Sequence, residues 1–221
     1  MNHQTESIPP ESAPHGAAPA EPRSSARKRE LGTWLPTLAL VAISAALAAG
    51  GEAVRQWGRY DRHALEAGQL WRLVTGHLVH LGPSHLALDL GALVLIRVIV
   101  GTAMSGGEWV GATLVSMASI DAGLYFGAPD VGWYVGLSGI LHGLFVAGAA
   151  ALLGTDRRFA AALLVGVAAK LAWEHWAGPL PWSAEATGGT VITAAHFYGA
   201  IGGVIFAAFM GLRRRRGARP L

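Results

Sequence analysis

Two apolar stretches of this sequence each hold a polar side chain that is suited to nucleophilic catalysis. The first, YVGLSGILHG at positions 134–143, has Ser138 between glycines, and the second, AHFYGAIGG at positions 195–203, has His196 near its start. A serine hydroxyl becomes an effective nucleophile when a base lies within hydrogen-bond reach, and neutral imidazole is the usual base. Because polar groups are costly to bury in lipid, an intramembrane histidine predicts a functional site.

The composition indicates an integral membrane protein. Of the 221 residues, 52% are hydrophobic and 14% are charged, and the mean hydropathy is +0.39. The 30 glycines fit closely packed transmembrane helices, in which small residues let backbones approach one another. The chain has no cysteine, which excludes disulfides, a thiol nucleophile and a thiolate metal site.

Six apolar segments predict an all-α integral membrane protein with a six-helix transmembrane bundle. They are residues 31–50, 85–104, 108–127, 133–153, 158–176 and 190–212. The charged stretch 52–84 is expected to lie at the membrane interface as an amphipathic loop. This membrane domain, residues 31–212, is flanked by a tail of residues 1–30 that is expected to be disordered, and by a basic tail of residues 213–221.

Clusters of arginine predict the orientation of the helices. RKRE (27–30) precedes the first segment, DRR (156–158) joins the fourth and fifth, and RRRR (213–216) follows the sixth. Since cytoplasmic loops carry the excess of Lys and Arg, six crossings put all three clusters and both termini in the cytoplasm. Four arginines in the loop 52–84 oppose this orientation, but three acidic residues in the same loop reduce its net positive charge.

In this orientation Ser138 and His196 lie at a similar depth. Each is about five or six residues inside its predicted segment, which is roughly 8–9 Å below the outer boundary at 1.5 Å per residue. His196 shares a helix face with Gly199 and Gly203, and glycines also surround Ser138. Such surfaces favour a side-chain contact, although a membrane serine can also bond its own helix carbonyl, and glycine faces can serve packing alone.

These motifs, in this order, resemble the rhomboid family of intramembrane serine proteases. GLSG (136–139) matches the family's GxSG nucleophile motif, and AHFYGAIGG matches its AHxxGxxxG histidine motif. WR (71–72) matches a pair in the family's first loop, and HLVHLGPSHLALD matches the HxxxxHxxxN pattern with His80 and His85 in place. The resemblance extends over residues 34–211.

The resemblance implies a catalytic dyad of Ser138 as nucleophile and His196 as general base. It also implies an oxyanion hole from the Ser138 backbone N–H, His85 and residue 89, supported by Gly136 and Leu137. Residue 89 is an aspartate where the family pattern has Asn, and an ionised carboxylate cannot donate a hydrogen bond.

Three interpretations of this departure stay open. Asp89 is a protonated donor, or it orients His85, or its side chain turns away from the site.

Three further residues are candidates for substrate contact or for packing on the dyad. His142 stands where many family members have a tyrosine packed on the catalytic histidine, so it is expected to stack on His196 or to compete for the Ser138 proton. Lys170 and Glu174, at i and i+4, predict a local ion pair or a substrate contact, because the fifth helix is the gate in this family.

The remaining polar residues are given structural roles. The histidines of HLVHLGPSH with Asp89 are ligand types that suit zinc, but their spacing does not by itself form a closed site, so no metal and no cofactor is expected. Asp121 is expected to be buried and hydrogen-bonded, and Arg97 to snorkel towards the cytoplasmic surface.

Within the family, GLSGILHGLFVAG, the WE pair at 173–174 and AHFYGA are most similar to the rhombosortase branch. That similarity implies an endopeptidase of a Gram-negative bacterial inner membrane that cleaves C-terminal, Gly-Gly-containing transmembrane sorting tails. Its partners would be those membrane proteins and the lipid bilayer, with no nucleic acid. Release of the acyl-enzyme by water or by an amine stays open.

Two alternatives belong to other classes of function. One is a catalytically inactive relative that binds membrane clients, and the aspartate at position 89 favours it. The other is a small transporter that uses the charged residues Arg97, Asp121, Lys170 and Glu174. A matched Ser138/His196 pair argues against both.

Overall fold

Long helices make up most of the structure, a computed structural model that describes residues 23–217 of the chain. Within that range there are ten α-helices: α1 (Arg23–Ala49), α2 (Gly51–Gly58), α3 (Arg62–Glu66), α4 (Arg72–Thr75), α5 (Pro83–Val100), α6 (Gly106–Ala122), α7 (Ser138–Leu152), α8 (Arg157–Ala177), α9 (Ser183–Thr187) and α10 (Thr193–Gly217). Two short strands, β1 (Tyr60–Asp61) and β2 (Trp133–Tyr134), pair antiparallel. A 3₁₀ turn (Gly101–Ala103) follows α5, and a π-helical turn (Gly123–Gly127) follows α6.

Within the described residues, four helical stretches are long and apolar enough to cross a membrane: Gly32–Ala49, Pro83–Ala103, Gly106–Gly127 and Thr193–Arg214. The other two predicted spans form α7, which has 15 residues, and α8, which carries four charged residues. The helix α7 packs against α5, α6, α8 and α10, and most of its residues are buried. The all-α membrane fold is confirmed, whereas the count of six full-length spans is not.

The helix boundaries differ from the predicted domain boundaries at both ends. Of the tail predicted for residues 1–30, residues 1–22 lie outside the described residues, and residues 23–30 form the start of α1. The Ala, Arg, Lys and Glu in this stretch are good helix formers. At the other end, α10 continues through the first residues of the predicted basic tail to Gly217.

The fourth predicted segment begins as an extended chain rather than as a helix. Trp133 and Tyr134 form β2, and Gly136 has a φ of 115°, which lies outside the helical region. The helix α7 therefore starts at Ser138 itself, and the prediction that Ser138 lies several residues inside a helix is wrong.

The loop between α1 and α5 is folded by its own hydrogen bonds. The buried Arg72 side chain donates from Nη1 to the carbonyl oxygens of Gln56 at 3.0 Å and Arg59 at 2.7 Å. Trp71 stacks on Trp57 with ring centroids 5.8 Å apart. The WR pair therefore holds α2 against α4, which fixes the loop that carries β1.

Arg97 is buried near the end of α5, so the prediction that it snorkels towards water is wrong. Its side chain is 2% exposed and donates to the carbonyl oxygen of Gly101. Its guanidinium lies over the rings of Trp34 and Trp109, at 4.6 Å and 5.5 Å from their centroids. Aromatic faces and a helix-end carbonyl thus replace water around this cation.

Glycines bring the backbones of α7 and α10 into direct contact. A Cβ atom on Gly199 would lie 1.9 Å from the carbonyl oxygen of Gly139, and one on Gly203 would lie 2.4 Å from that of Gly143. The two contacts are spaced alike along both helices, so α7 and α10 run in the same direction. Any side chain at these glycines would separate the helices and with them their first turns.

Candidate active site

The first turns of α7 and α10 bring Ser138 and His196 into hydrogen-bond contact. Ser138 Oγ lies 3.0 Å from His196 Nε2. The imidazole is buried at 6% exposure, and it lies beside the close contact of Gly139 with Gly199. A hydroxyl and an imidazole at this distance can exchange a proton, which is what nucleophilic catalysis by serine requires.

The other imidazole nitrogen of His196 faces the carboxylate of Glu174. Nδ1 lies 2.9 Å from Oε2 and 3.1 Å from Oε1. Because an ionised carboxylate only accepts hydrogen bonds, Nδ1 carries a proton and donates it to this carboxylate. In neutral His196 the lone pair then lies on Nε2, where the Ser138 hydroxyl donates to it.

Glu174 also forms the ion pair with Lys170 that their spacing predicts. Lys170 Nζ lies 2.6 Å from Glu174 Oε1. The glutamate side chain is 4% exposed and the lysine side chain 30% exposed. Lys170 Nζ and His196 Nδ1 therefore both donate to the buried Glu174 carboxylate, and the two nitrogens lie 3.4 Å apart.

His142 stacks on His196, with ring centroids 4.2 Å apart and an angle of 18° between the planes. Its Nδ1 lies 2.7 Å from the carbonyl oxygen of Ser138, to which it donates. The hydrogen bond of His142 is therefore made with the backbone of Ser138 rather than with the hydroxyl, and its ring covers one face of His196.

His142, Glu174 and His196 have potential ligand atoms within 4.8 Å of one another. The two imidazoles are stacked nearly parallel, so their in-plane lone pairs run side by side. Metal ligation needs lone pairs that converge on one point, which this stack does not provide. These three side chains instead make hydrogen bonds or an ion pair with Ser138 and Lys170, which explains why they lie close together.

Three hydrogen bonds hold the extended segment before Ser138. Gly136 N–H donates to the carbonyl of Gly76 at 3.0 Å, and Tyr134 OH donates to the carbonyl of Gly136 at 2.5 Å. Leu137 N–H donates to Asp89 Oδ2 at 2.9 Å. A Cβ atom on Gly136 would lie 2.6 Å from the ring of His85, so only glycine fits there.

This anchoring places the backbone N–H of Ser138 at the N-terminus of α7. The first N–H groups of a helix have no acceptor within it, and the helix dipole adds partial positive charge at this end. The same residue thus presents its hydroxyl to His196 and has a backbone N–H at a helix end that favours negative charge.

Asp89 accepts hydrogen bonds in this arrangement. Leu81 N–H donates to His85 Nδ1 at 3.3 Å, so the other ring nitrogen of neutral His85 carries the proton. That nitrogen, Nε2, lies 3.3 Å from Asp89 Oδ2, and His80 Nε2 lies 3.2 Å from the same oxygen. With the Leu137 contact, this geometry favours an Asp89 that orients His85 and the backbone over a protonated donor or a side chain turned away.

A cavity of about 550 Å³ lies beside Ser138 and His196, between α5, α7, α8 and the chain that precedes α10. Lys170 lines one wall, and Leu88 and Leu95 of α5 line another. These two leucines are 50% and 59% exposed, so the cavity borders the membrane-facing surface of α5.

Sequence reasoning missed two parts of this site. The contact of Glu174 with His196 joins α8 to α10, and the i, i+4 spacing that predicted the pair with Lys170 gives no information on it. The hydrogen bond from Gly136 to Gly76 joins the serine motif to the first loop, and no motif marks Gly76.

Asp121 is hydrogen-bonded as predicted, but it is half-buried rather than buried. Its Oδ1 lies 3.1 Å from His77 Nε2, and its side chain is 14% exposed. Neither residue lines the cavity beside Ser138.

Comparison with known proteins gives one family. A family model described as the Rhomboid domain matches residues 67–213, which is more than half of the chain and includes Ser138 and His196. A search among curated proteins found no significant match. The matched range, the membrane-spanning helices and the motif order agree, and the chain therefore belongs to the rhomboid family of intramembrane serine proteases.

Proposed function

We propose that this chain is an active serine endopeptidase in which Ser138 is the nucleophile and His196 the general base. The observation that carries the proposal is the 3.0 Å contact of Ser138 Oγ with His196 Nε2. As Oγ bonds to the scissile carbonyl carbon, its proton passes to Nε2. His196 then gives that proton to the leaving amine as the C–N bond breaks.

The acyl-enzyme is released when a water molecule attacks the ester carbon while His196 Nε2 takes a proton from that water. The ester bond to Ser138 Oγ then breaks, and His196 returns the proton to Oγ. An amine in place of water would make the reaction a transfer. The Ser138 N–H is proposed as an oxyanion donor. The Asp89 and His85 side chains support the segment Gly136–Leu137 that orients this N–H, through the 2.9 Å contact with Leu137.

The proposed substrates are membrane-anchored proteins that are cleaved at their transmembrane tails. The cavity beside Ser138 and the exposed leucines on its α5 wall support entry of an apolar segment from the bilayer. The narrower class, C-terminal sorting tails that contain Gly-Gly, is proposed on the resemblance of GLSGILHGLFVAG, WE and AHFYGA to the rhombosortase branch.

A fluorophosphonate probe on the purified full-length protein tests the enzymatic proposal. Ser138 Oγ would attack the phosphorus and fluoride would leave, so we expect labelling of the native protein on the peptide that holds Ser138. Ser138→Ala should not be labelled. Labelling that persists in this variant, or native protein that is folded by circular dichroism and stays unlabelled, would contradict the proposal. The client-binding and transporter alternatives both predict the unlabelled outcome.

We also propose that the protein lies in a bacterial inner membrane with both termini in the cytoplasm. The arginine clusters at 27–30, 156–158 and 213–216 support this orientation. Reporter fusions after residue 216 should be active only as cytoplasmic reporters, and fusions within residues 178–189 only as external ones. The reverse pattern would put the start of α7 on the cytoplasmic side and overturn the orientation.

A further inference from the structure

Glu174 is placed to act on the side of His196 that faces away from Ser138. Its carboxylate contacts Nδ1 at 2.9 Å while Ser138 Oγ contacts Nε2 at 3.0 Å. The two side chains of this pair are 4% and 6% exposed. An exposed contact between a carboxylate and an imidazole contributes little to stability. A buried contact fixes the orientation of the imidazole, because no water competes for the hydrogen bond.

We infer that Glu174 is a positioning residue that extends the Ser138/His196 pair to a serine–histidine–glutamate arrangement. The inference rests on the proposed function and deepens it. The carboxylate requires the proton of neutral His196 to be on Nδ1, because a lone pair there would face two oxygens at 2.9 Å and 3.1 Å. It also stabilises the imidazolium that forms when Nε2 takes the Ser138 proton.

Lys170 orients the glutamate for this task. Its Nζ bonds Oε1 at 2.6 Å, and the shorter contact of Nδ1 of His196 is with the other oxygen, Oε2. A buried carboxylate is costly unless its charge is paired and its oxygens accept hydrogen bonds, and these two donors meet both needs. The positioning group is therefore the Lys170–Glu174 pair of α8, acting on a residue of α10.

The rate constant for fluorophosphonate labelling of full-length protein tests the role of the carboxylate. Glu174→Gln should lower it by about 10²- to 10⁴-fold, because an amide can donate to Nδ1 and so favour the tautomer that cannot accept the Ser138 proton. Glu174→Asp keeps the carboxylate and should label faster than Glu174→Gln. Equal rates for the two variants, or a native rate in Glu174→Gln, would overturn the inference.

A matched control removes the charge of a different carboxylate that also contacts a histidine. Asp121→Asn should label within about threefold of native, because the amide oxygen can still accept from His77 Nε2 and neither residue lines the cavity. If Asp121→Asn lost as much labelling as Glu174→Gln, the loss would report general destabilisation and the inference would be overturned.

A double-mutant cycle separates positioning from a structural role. With His196→Ala already present, Glu174→Gln should cause no further loss, since Glu174 acts only through that imidazole. An additional loss of the size seen in the native background would overturn the inference. If Glu174→Gln does not fold, the double variant Lys170→Met/Glu174→Met removes the charged pair together, which proteins often tolerate. Labelling of this double variant at the native rate would overturn the inference.

These outcomes are distinguishable from failure of the proposed function. Native protein that takes no label ends the enzymatic proposal before Glu174 is examined. Native protein that labels at Ser138, with Glu174→Gln labelling equally fast, leaves the enzyme intact and removes Glu174 from its mechanism.

Discussion

Alanine at Ser138 should lower the rate of cleavage of a Gly-Gly tail substrate by roughly 10⁴- to 10⁶-fold, and alanine at His196 should cost about as much. The reason is that the two groups act as one unit across a 3.0 Å contact, so removal of either leaves no activated nucleophile. The double variant should be no slower than either single one. Cleavage in proteoliposomes, quantified by mass spectrometry of the released fragment, measures all three.

Ser116→Ala is a matched control for the loss of a buried hydroxyl. Ser116 lies in α6 against Gly143 and is fully buried, and its hydroxyl makes no hydrogen bond within the described part of the chain. This variant should keep native cleavage. If His196→Ala remained folded and retained most of the activity, His196 would not be the base. His142 would then become the candidate, because its ring stacks on the ring of His196.

Alanine at Asp89 should lower turnover by about 100- to 1000-fold, the usual cost of disturbing an oxyanion site. The carboxylate accepts Leu137 N–H at 2.9 Å, one residue before Ser138, and lies 3.3 Å from His85 Nε2. Without it the Leu137 N–H is buried without an acceptor, and the segment that orients the Ser138 N–H loses an anchor. Native turnover in Asp89→Ala would remove this residue from the mechanism.

Asparagine at this position distinguishes an acceptor from a donor. An amide oxygen can take the place of Oδ2 and accept from Leu137, so Asp89→Asn should keep turnover within about tenfold of native. If Asp89 is an acceptor, the native and Asn forms should keep activity to the same high pH. If it were instead a protonated donor, the native form would lose activity at a lower pH than the Asn form, and the pH–rate profiles of the two would separate.

The chain departs from the family pattern at position 89, where it has Asp in place of Asn. In the structure this carboxylate accepts a hydrogen bond, which an ionised side chain can do. Three nitrogens lie within 3.3 Å of Oδ2, from Leu137, His80 and His85. Asp89 accepts the Leu137 N–H, and this hydrogen bond links the carboxylate to the backbone of the serine motif. The substitution is therefore compatible with the proposed reaction and does not favour an inactive relative.

The sequence by itself determined the membrane class and the family, and it predicted that Ser138 and His196 act together. Apolar segments in lipid must satisfy their backbone groups internally, so composition alone predicts helices. The motifs around Ser138 and His196 are short and local, and they can be recognised without knowledge of what surrounds them. The i, i+4 spacing similarly predicted the pair of Lys170 with Glu174.

Only the tertiary structure decided which partners these side chains meet. Ser138 begins α7 because Tyr134 pairs with Tyr60 and Gly136 bonds to Gly76, contacts that join parts of the chain far apart in sequence. Likewise, no sequence pattern could choose among the interpretations of Asp89, because its acceptor role depends on the N–H of Leu137, which is 48 residues away along the chain.

Glu174 illustrates the physical reason most clearly. Whether it faces lipid, substrate or His196 depends on the rotation of α8 about its own axis and on its depth relative to α10. Both are set by side-chain and glycine packing between helices, including the contact of Gly139 with Gly199. A linear pattern specifies which face of a helix is polar, but the partner of that face is fixed only when the helices pack.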